Sequence, residues 1–563
     1  MIESIGNNIP SKIPISFREK LSRKVSGLDS KKTVFLCALL AMFCYVNSLG
    51  AYFVWDDYSA VFANRNIRHL SLKEAFKPLY HKDESSAFNK TPVYFRPLQA
   101  LSYMLDFQLW KLNAFGYHLT NVILHIANVL LVYFLLFALF KDNLLAFPGA
   151  VLFALNPAFT SSVTYVSGRA DILLLLFSCL AVLAFLKGLN GKKQSIFYYI
   201  ISVLCFFSAL LSKEAGFSVI IFLFVLGRLV YKDKFPRNQF LVYIPFILVF
   251  LGFQLLKPAS LPGFGINSLN LSKAFFGLLT MMKGACVYTF IAVFPFQLRM
   301  GRSIIAVESF ADKWWLLSFV FLAFLTVSLI YGIKKNRMFL LGITWFYLPL
   351  LAMLFFNNIL ARRAHELLLP ENNLYFPYLG FLIFVFSFFA AVKKGSYFKK
   401  IAALILLFIA PFYFALTISE NTYWNDEVKL YTKILKYNKG SVFNYMVYAN
   451  LGFANERVEK YGLAEKYFTQ AAESSGSDPY FYNILAQFYI RSGSYDKALP
   501  VLEASKRLDD HFAQTYVLSG TALAYKGRKE EAKKDFQRAL LIDPANQSAS
   551  YYLGILEGKH EQK

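Results

Sequence analysis

Two adjacent carboxylates stand in the run Val54-Trp55-Asp56-Asp57-Tyr58, directly after the first long apolar stretch of a 563-residue chain. Acids at the end of a membrane-length apolar run cost free energy unless they are solvated, paired or used. A solvated pair would be inert, whereas a used pair would serve as general base or metal ligand. Cations and further acids recur with them. These are Arg96 in Tyr94-Phe95-Arg96-Pro97-Leu98, Arg169 and Asp171 in Gly168-Arg169-Ala170-Asp171, and Lys213-Glu214. Arg362-Arg363 follow, ahead of His365-Glu366 and the run Glu371-Asn372-Asn373-Leu374-Tyr375. His118, Asn121, His125 and Asn128 form one stripe of an apolar helix, so they face protein or a cavity. His118 is nearest the helix end and is the one placed to act; His125 and Asn128 read as packing groups. Each group alone is an ordinary helix-end polar residue. Together they put acids, cations and one histidine on one membrane face, the makings of a site. Neither a zinc-ligand set nor a phosphate loop is present, and Gly263-Phe264-Gly265 lacks the third glycine of a dinucleotide fingerprint.

The elements that must position these groups are membrane helices. Residues of types A, V, I, L, M, F, W, Y and C make up 56% of the chain and charged residues 17%. Soluble domains average about 45–50% and about 25%, so a single soluble domain and a disordered chain are both excluded. Runs of membrane-spanning length lie at 33–54, 116–140, 143–157, 171–187, 195–211, 215–231, 239–256, 313–333, 339–356, 375–392 and 399–418, about eleven spans. The lead carries Lys12, Arg18, Lys20, Arg23, Lys24, Lys31 and Lys32, which keeps it cytoplasmic. Every second connection is then cytoplasmic too. Those connections hold Lys141; Lys187, Lys192 and Lys193; Lys232, Lys234 and Arg237; Lys334, Lys335 and Arg337; and Lys393, Lys394, Lys399 and Lys400. An odd number of spans puts the C-terminal third outside, on the side of Asp56. Residues 272–295 would upset that parity and carry Lys283 at their middle, so they are expected to be re-entrant or interfacial rather than spanning. The net charge of +24 is concentrated in the apolar part, a topology signal rather than a nucleic-acid footprint. The five cysteines all sit in apolar runs and read as small buried thiols.

The C-terminal region repeats every 34 residues. Gly452, Ala486, Gly520 and Gly554 keep that period, as do Ala464, Ala498 and Ala532, and Phe468, Leu502 and Phe536. Ala471, Ser505 and Ala539 form a further column, as do Tyr448, Tyr482 and Tyr516, and Pro544 closes the third unit. This is the tetratricopeptide (TPR) pattern: three full units, a leading helix from about Asn425 and a closing helix near Ser548–Gly558. Such arrays make concave surfaces for protein or peptide. The domain reading is a basic N-terminal segment at 1–32, a membrane domain at 33–419 and an extracytoplasmic TPR domain at 420–563. All the candidate chemistry precedes residue 376, so the two parts are expected to be separable: a chain cut after Glu420 should still bind a donor. The short connection holds the array near the outer loops.

Across residues 33–558 the chain resembles the transmembrane and TPR repeat-containing O-mannosyltransferases, within the C-type (GT-C) glycosyltransferases. The resemblance rests on Asp56-Asp57, Arg96-Pro97-Leu98, Gly116-Tyr117-His118, Asn121, His125, Ser167-Gly168-Arg169-Ala170-Asp171, Leu211-Ser212-Lys213-Glu214, Asn373-Leu374-Tyr375-Phe376-Pro377, Trp424 and the TPR units. The chain departs from the family in a shorter array and in Asn372-Asn373, where Arg-Tyr is more usual. The resemblance implies an all-α, GT-C-like membrane domain. It also implies an enzyme that transfers a sugar, mannose by family default, from a polyprenyl-phosphate carrier to an extracytoplasmic hydroxyl, Ser or Thr of a protein. Asp56 would be the base, with Asp57 as orienting partner or substitute. Arg96, Arg169, Lys213, Arg362 and Arg363 would meet the donor phosphate. His118, Asp171, Glu214 and Tyr375 would complete the substrate site. A monophosphate carrier can rely on fixed cations, so no metal or other cofactor is expected to be required. The partners are the lipid-linked donor, the acceptor on the TPR surface and the bilayer, a bacterial inner membrane or an endoplasmic reticulum. The alternatives are a GT-C transferase acting on a lipid or surface polysaccharide, and a non-enzymatic membrane-anchored TPR scaffold.

Overall fold

The computed structural model describes residues 30–79, 94–189, 195–231, 239–257, 271–360, 366–391, 395–476 and 478–558. The apolar runs fold as α1 (Ser30–Tyr45), α3 (Ala114–Phe140), α4 (Asn143–Ala154), α5 (Arg169–Gly188), α6 (Ser195–Ser212), α7 (Ser218–Phe224), α8 (Ile244–Leu256), α9 (Leu271–Val293), α10 (Trp314–Lys334), α11 (Arg337–Leu360), α12 (Tyr378–Ala391) and α13 (Gly395–Trp424). α2 (Pro97–Trp110) lies in the first long connection, started by a proline whose missing N–H costs nothing there. Among the described residues seven helices are long and apolar enough to cross a membrane, or eight if Asn143–Ala154 and Pro157–Val163, bent by 47°, form one span. Of the remaining expected runs, 239–256 and 375–392 are shorter helices, 215–231 is α7 continued by a widened turn at Val225–Val230, and 399–418 falls within α13. One core joins the bundle, including Val129, Leu136, Phe153, Cys179, Phe206, Trp345 and Phe386. α11 and α12 touch backbone to backbone: a Cβ on Gly342 would stand 2.3 Å from the Phe384 nitrogen, and one on Gly380 2.4 Å from the Phe346 nitrogen. Small residues allow that approach where no water drives helices together. The result is an all-helical integral membrane domain, and all five cysteines in it are free thiols.

α9 differs from what the sequence suggested. It is a single unbroken 23-residue helix, with no re-entrant break. Length and composition would let it cross. Its middle nevertheless touches the site-face loops: Lys283 Nζ donates to the Ile305 carbonyl at 2.8 Å, and Tyr288 donates to the Pro370 carbonyl at 2.9 Å. Lys283 also lies 5.3 Å from the Trp314 ring centroid, so its charge is paired rather than facing lipid. Beside it lies a short antiparallel pair that no sequence pattern marked, β1 (Ser303–Ile305) and β2 (Glu366–Leu368), with Ser303 opposite Leu368.

The C-terminal region forms α14 (Glu427–Tyr437), the pairs α15 (Asn444–Arg457) with α16 (Tyr461–Ser474), α17 (Pro479–Arg491) with α18 (Tyr495–Leu508) and α19 (Ala513–Tyr525) with α20 (Lys529–Ile542), and a closing α21 (Gln547–Leu556). The period-34 columns pack between the paired helices: a Cβ on Gly452 would stand 2.5 Å from the Phe468 ring. α13 runs unbroken through the expected boundary at 419/420 to Trp424. The array sits directly on the loops. Glu366 accepts from Ser441 Oγ and the Val442 N–H at 2.7 and 3.2 Å, and Asn438 bonds both Arg299 and the Gly301 carbonyl. The two parts share a hydrophobic cluster of Val54, Tyr165, Trp424, Leu430, Tyr431, Ile434, Val447 and Leu451, with Trp55 packed against it. A cut after Glu420 would therefore uncover the loop that carries the acid pair.

Candidate active site

The chain leaves α1 through a one-turn helix at Val46–Ser48 and reaches the acid pair in a tight loop. Asp57 is fully buried and holds that loop together. One oxygen accepts from the Ser167 N–H at 2.8 Å and Ser167 Oγ at 2.5 Å, the other from the Val54 N–H at 3.2 Å. Burial pushes its carboxyl up from the usual range, against those hydrogen bonds. Asp56 is only partly buried and so has a path to a ligand. Burial pushes it up to about 6, while the Tyr165 hydroxyl beside it and the charge of Arg96 pull the other way.

Arg96 stands immediately before α2, 4.1 Å from the Tyr94 ring centroid and 3.4 Å from Glu214 Oε2. Glu214 starts the turn after α6, and Lys213 and Lys257 are further cations acting on it. Lys213 beside it is buried. It donates to Asp171 Oδ1 at 2.6 Å and to Asn373 Oδ1 at 3.0 Å, while Asp171 Oδ2 accepts from Asn372 at 2.9 Å. Asp56, Arg96, Glu214 and Lys257 thus form a mixed-charge patch, backed by the closed Lys213–Asp171 pair.

Several residues expected to contact a ligand are engaged with other protein groups in this structure. Arg169 is completely buried. Its Nε donates to Asn121 at 2.7 Å, one terminal nitrogen meets Asp106 at 2.6 Å and Ser102 at 3.2 Å, and the other donates to the Tyr117 carbonyl at 2.9 Å. It clamps α2, α3 and α5 together, with each of its side-chain nitrogens engaged by protein groups. Lys213 is similarly occupied by Asp171, and removing one partner of such a pair leaves a buried charge at a cost of about 3–5 kcal/mol. His118 is enclosed against the carbonyls of Thr164, Tyr52 and Ala51. Tyr375 is buried with its hydroxyl 2.8 Å from His125 Nδ1 and 3.1 Å from Asn128 Nδ2, a link between α3 and the loop before α12. Arg362, Arg363 and His365 lie outside the described residues.

Sequence reasoning missed Tyr165, Lys257, Arg299, Arg302 and Tyr431. Glu371 accepts from the Arg302 side chain at 2.8 Å and from the Arg299 N–H at 2.9 Å, under the start of the TPR array. Two arginines three residues apart, in a connection expected on the site face, were the available signal. Tyr165 and Tyr431 carried none, because their partners lie far away along the chain.

Profiles described as tetratricopeptide repeat match residues 454–511 and 513–546. The chain is 26% identical to the Mus musculus protein O-mannosyl-transferase TMTC3, covering 93% of this chain and 61% of that protein. The Homo sapiens counterpart is 26% identical over 89% of this chain and 59% of its own length. The chain therefore spans about three fifths of the curated relatives it matches. Among solved structures, an oligosaccharyltransferase of Archaeoglobus fulgidus with a tethered acceptor peptide is 12% identical over 88% of this chain and 71% of its own, with a TM-score of 0.41. ArnT of Cupriavidus metallidurans, bound to undecaprenyl phosphate, is 12% identical over 90% and 80%, with a TM-score of 0.34. The resemblance to TPR repeat-containing O-mannosyltransferases thus extends along nearly the whole chain.

Proposed function

We propose that this chain is a membrane glycosyltransferase that moves a sugar, mannose in the first instance, from a polyprenyl-phosphate carrier to a Ser or Thr hydroxyl of an extracytoplasmic protein. The observation that carries the proposal is Asp56, a partly exposed carboxylate beside Arg96, in a chain whose mouse and human relatives are named protein O-mannosyl-transferases. Asp56 takes the acceptor hydroxyl proton as its oxygen attacks the anomeric carbon from the face opposite the carrier. The bond from that carbon to the phosphate oxygen breaks, so the configuration inverts. Charge then gathers on the departing polyprenyl phosphate, where Arg96 and Lys257 are the cations supplied by the described residues. Asp57 fixes the loop, and the TPR array presents the acceptor.

The direct test incubates purified protein with polyprenyl-phosphate sugars of several kinds and a Ser/Thr-rich peptide. Released polyprenyl phosphate with mannosyl donor and peptide together supports the reading; no release with any donor overturns it. A base raised to about 6 is protonated and idle below that pH. The expected profile of kcat/KM therefore rises with pH through about 6 and flattens above it, and a flat profile between pH 5 and 7 would exclude Asp56 as the base.

The proposal also fixes a topology, with the lead cytoplasmic and both Asp56 and the array outside. In a background lacking native cysteines, Ser59→Cys and Ser474→Cys should label with an impermeant maleimide in intact cells, Ser474 being exposed. Labelling of Ser474→Cys only after permeabilisation would reverse the orientation.

A further inference from the structure

The loop carrying Asp56 is held from three directions, and each grip comes from residues 424–457. The residue before Asp56, Trp55, adopts the left-handed conformation, φ +52°, which non-glycine residues rarely take. Its N–H donates to the hydroxyl of Tyr431 on α14 at 3.2 Å, and the two rings lie 5.8 Å apart. Tyr431 is itself fully enclosed, 1% exposed, so its hydroxyl has one fixed position. Two residues beyond Asp56, Tyr58 bonds Glu427, and Arg457 of α15 covers its ring at 4.7 Å while pairing with Glu427. Tyr165, which stands beside Asp56, stacks on Trp424 at 5.5 Å. Apart from Tyr165, none of these groups reaches the mixed-charge patch, and none is explained by presenting an acceptor.

We propose that Tyr431 is a positioning residue for Asp56: by holding the Trp55 N–H it keeps the strained backbone turn that points the carboxylate at the acceptor hydroxyl. This rests on the glycosyl-transfer reading. A strained turn persists only where its surroundings over-determine it. When that bond is removed, one of the three grips is lost and the Trp55 backbone relaxes part of the way toward the ordinary extended or helical regions, shifting Asp56 with it while the Asp57 bonds hold the rest of the loop. The first TPR helix is therefore part of the machinery that sets base geometry, as well as the first step of a binding surface.

Tyr431→Phe deletes the hydroxyl and keeps the ring, so the cluster around it stays packed. In full-length protein with a polyprenyl-phosphate mannose and a Ser/Thr-rich peptide, turnover should fall about tenfold, within the loss a misplaced catalytic group brings. KM for the donor should change less than twofold, because Arg96 and Lys257 are untouched. In an Asp56→Asn background the same substitution should cost nothing further, since a residue acting through Asp56 has no effect once the carboxylate is gone. Hydrogen exchange over residues 54–60 should quicken while exchange across α3 and α5 stays the same, a readout independent of turnover. Wild-type turnover in Tyr431→Phe, an equal loss in the Asp56→Asn background, or unchanged exchange at 54–60 would each overturn the proposal. Wild-type turnover in Asp56→Asn alone would instead sink the reading of Asp56 as base, while the exchange result would still report on the Tyr431 grip.

Discussion

Asp56→Asn should lower turnover by about 10²–10⁴-fold, the range lost with a general base, with donor binding and melting temperature close to wild type. The substitution keeps the shape of the side chain but removes the basic carboxylate oxygen that accepts the hydroxyl proton. Asp57→Asn should behave differently. Both of its oxygens face donors, the Ser167 N–H and hydroxyl on one side and the Val54 N–H on the other. An amide must turn its NH2 toward one of them, leaving a buried donor against a donor at a cost of about 1–3 kcal/mol. The expected result is lower stability and yield, with turnover per folded molecule within tenfold of wild type. Thermal melts and single-turnover rates on both variants separate these outcomes. A normal rate in Asp56→Asn with a dead, folded Asp57→Asn would exchange the two roles. Normal rates in both would remove the centre of the glycosyltransferase reading.

The contrast between these neighbours marks what a sequence can carry. The helices were legible because each apolar run satisfies its own backbone and must be about 20 residues long to cross lipid. The TPR units were legible because helix pairing forces small residues opposite large ones at a fixed period, as at Gly452 and Phe468. Polar groups on one face were legible as a set, but their division of labour was not. Arg169 and Arg96 look alike in sequence. One is closed off by Asp106, Asn121 and Ser102, arriving from two other helices, and the other stands at the patch beside Asp56. Which groups engage Arg169 depends on contacts 48 to 67 residues apart, for which no local pattern exists. The docking of the array was hidden for the same reason: Trp55 and Tyr431 are separated by 376 positions.

Two truncations should therefore differ sharply. A chain ending after Glu420 loses Trp424, Leu430, Tyr431, Ile434, Val447, Leu451 and Ala454, all the buried members of the cluster apart from Val54 and Tyr165, which they cover. It also loses the partners of Arg299 and Glu366. Uncovered apolar side chains at the mouth of the site, with Trp55 released, should reduce donor hydrolysis by at least about 10²-fold, the scale of a displaced catalytic group. A chain ending after Gly476 keeps α14, α15 and α16 and with them the grips on Trp55, Tyr58 and Tyr165. It removes only the later units, whose contacts are with one another and with α15 and α16 through Tyr480, Phe481 and Phe488. Donor hydrolysis should then stay within severalfold of full length, while transfer to a protein acceptor weakens through a higher KM as remote binding is lost. Both truncations are compared with full-length protein for released polyprenyl phosphate, with and without acceptor. Hydrolysis intact after the Glu420 cut would mean that the base loop stands without the array. Equal loss after both cuts would mean that the solenoid folds and acts only as a whole, with the first helix pair unable to hold its position alone.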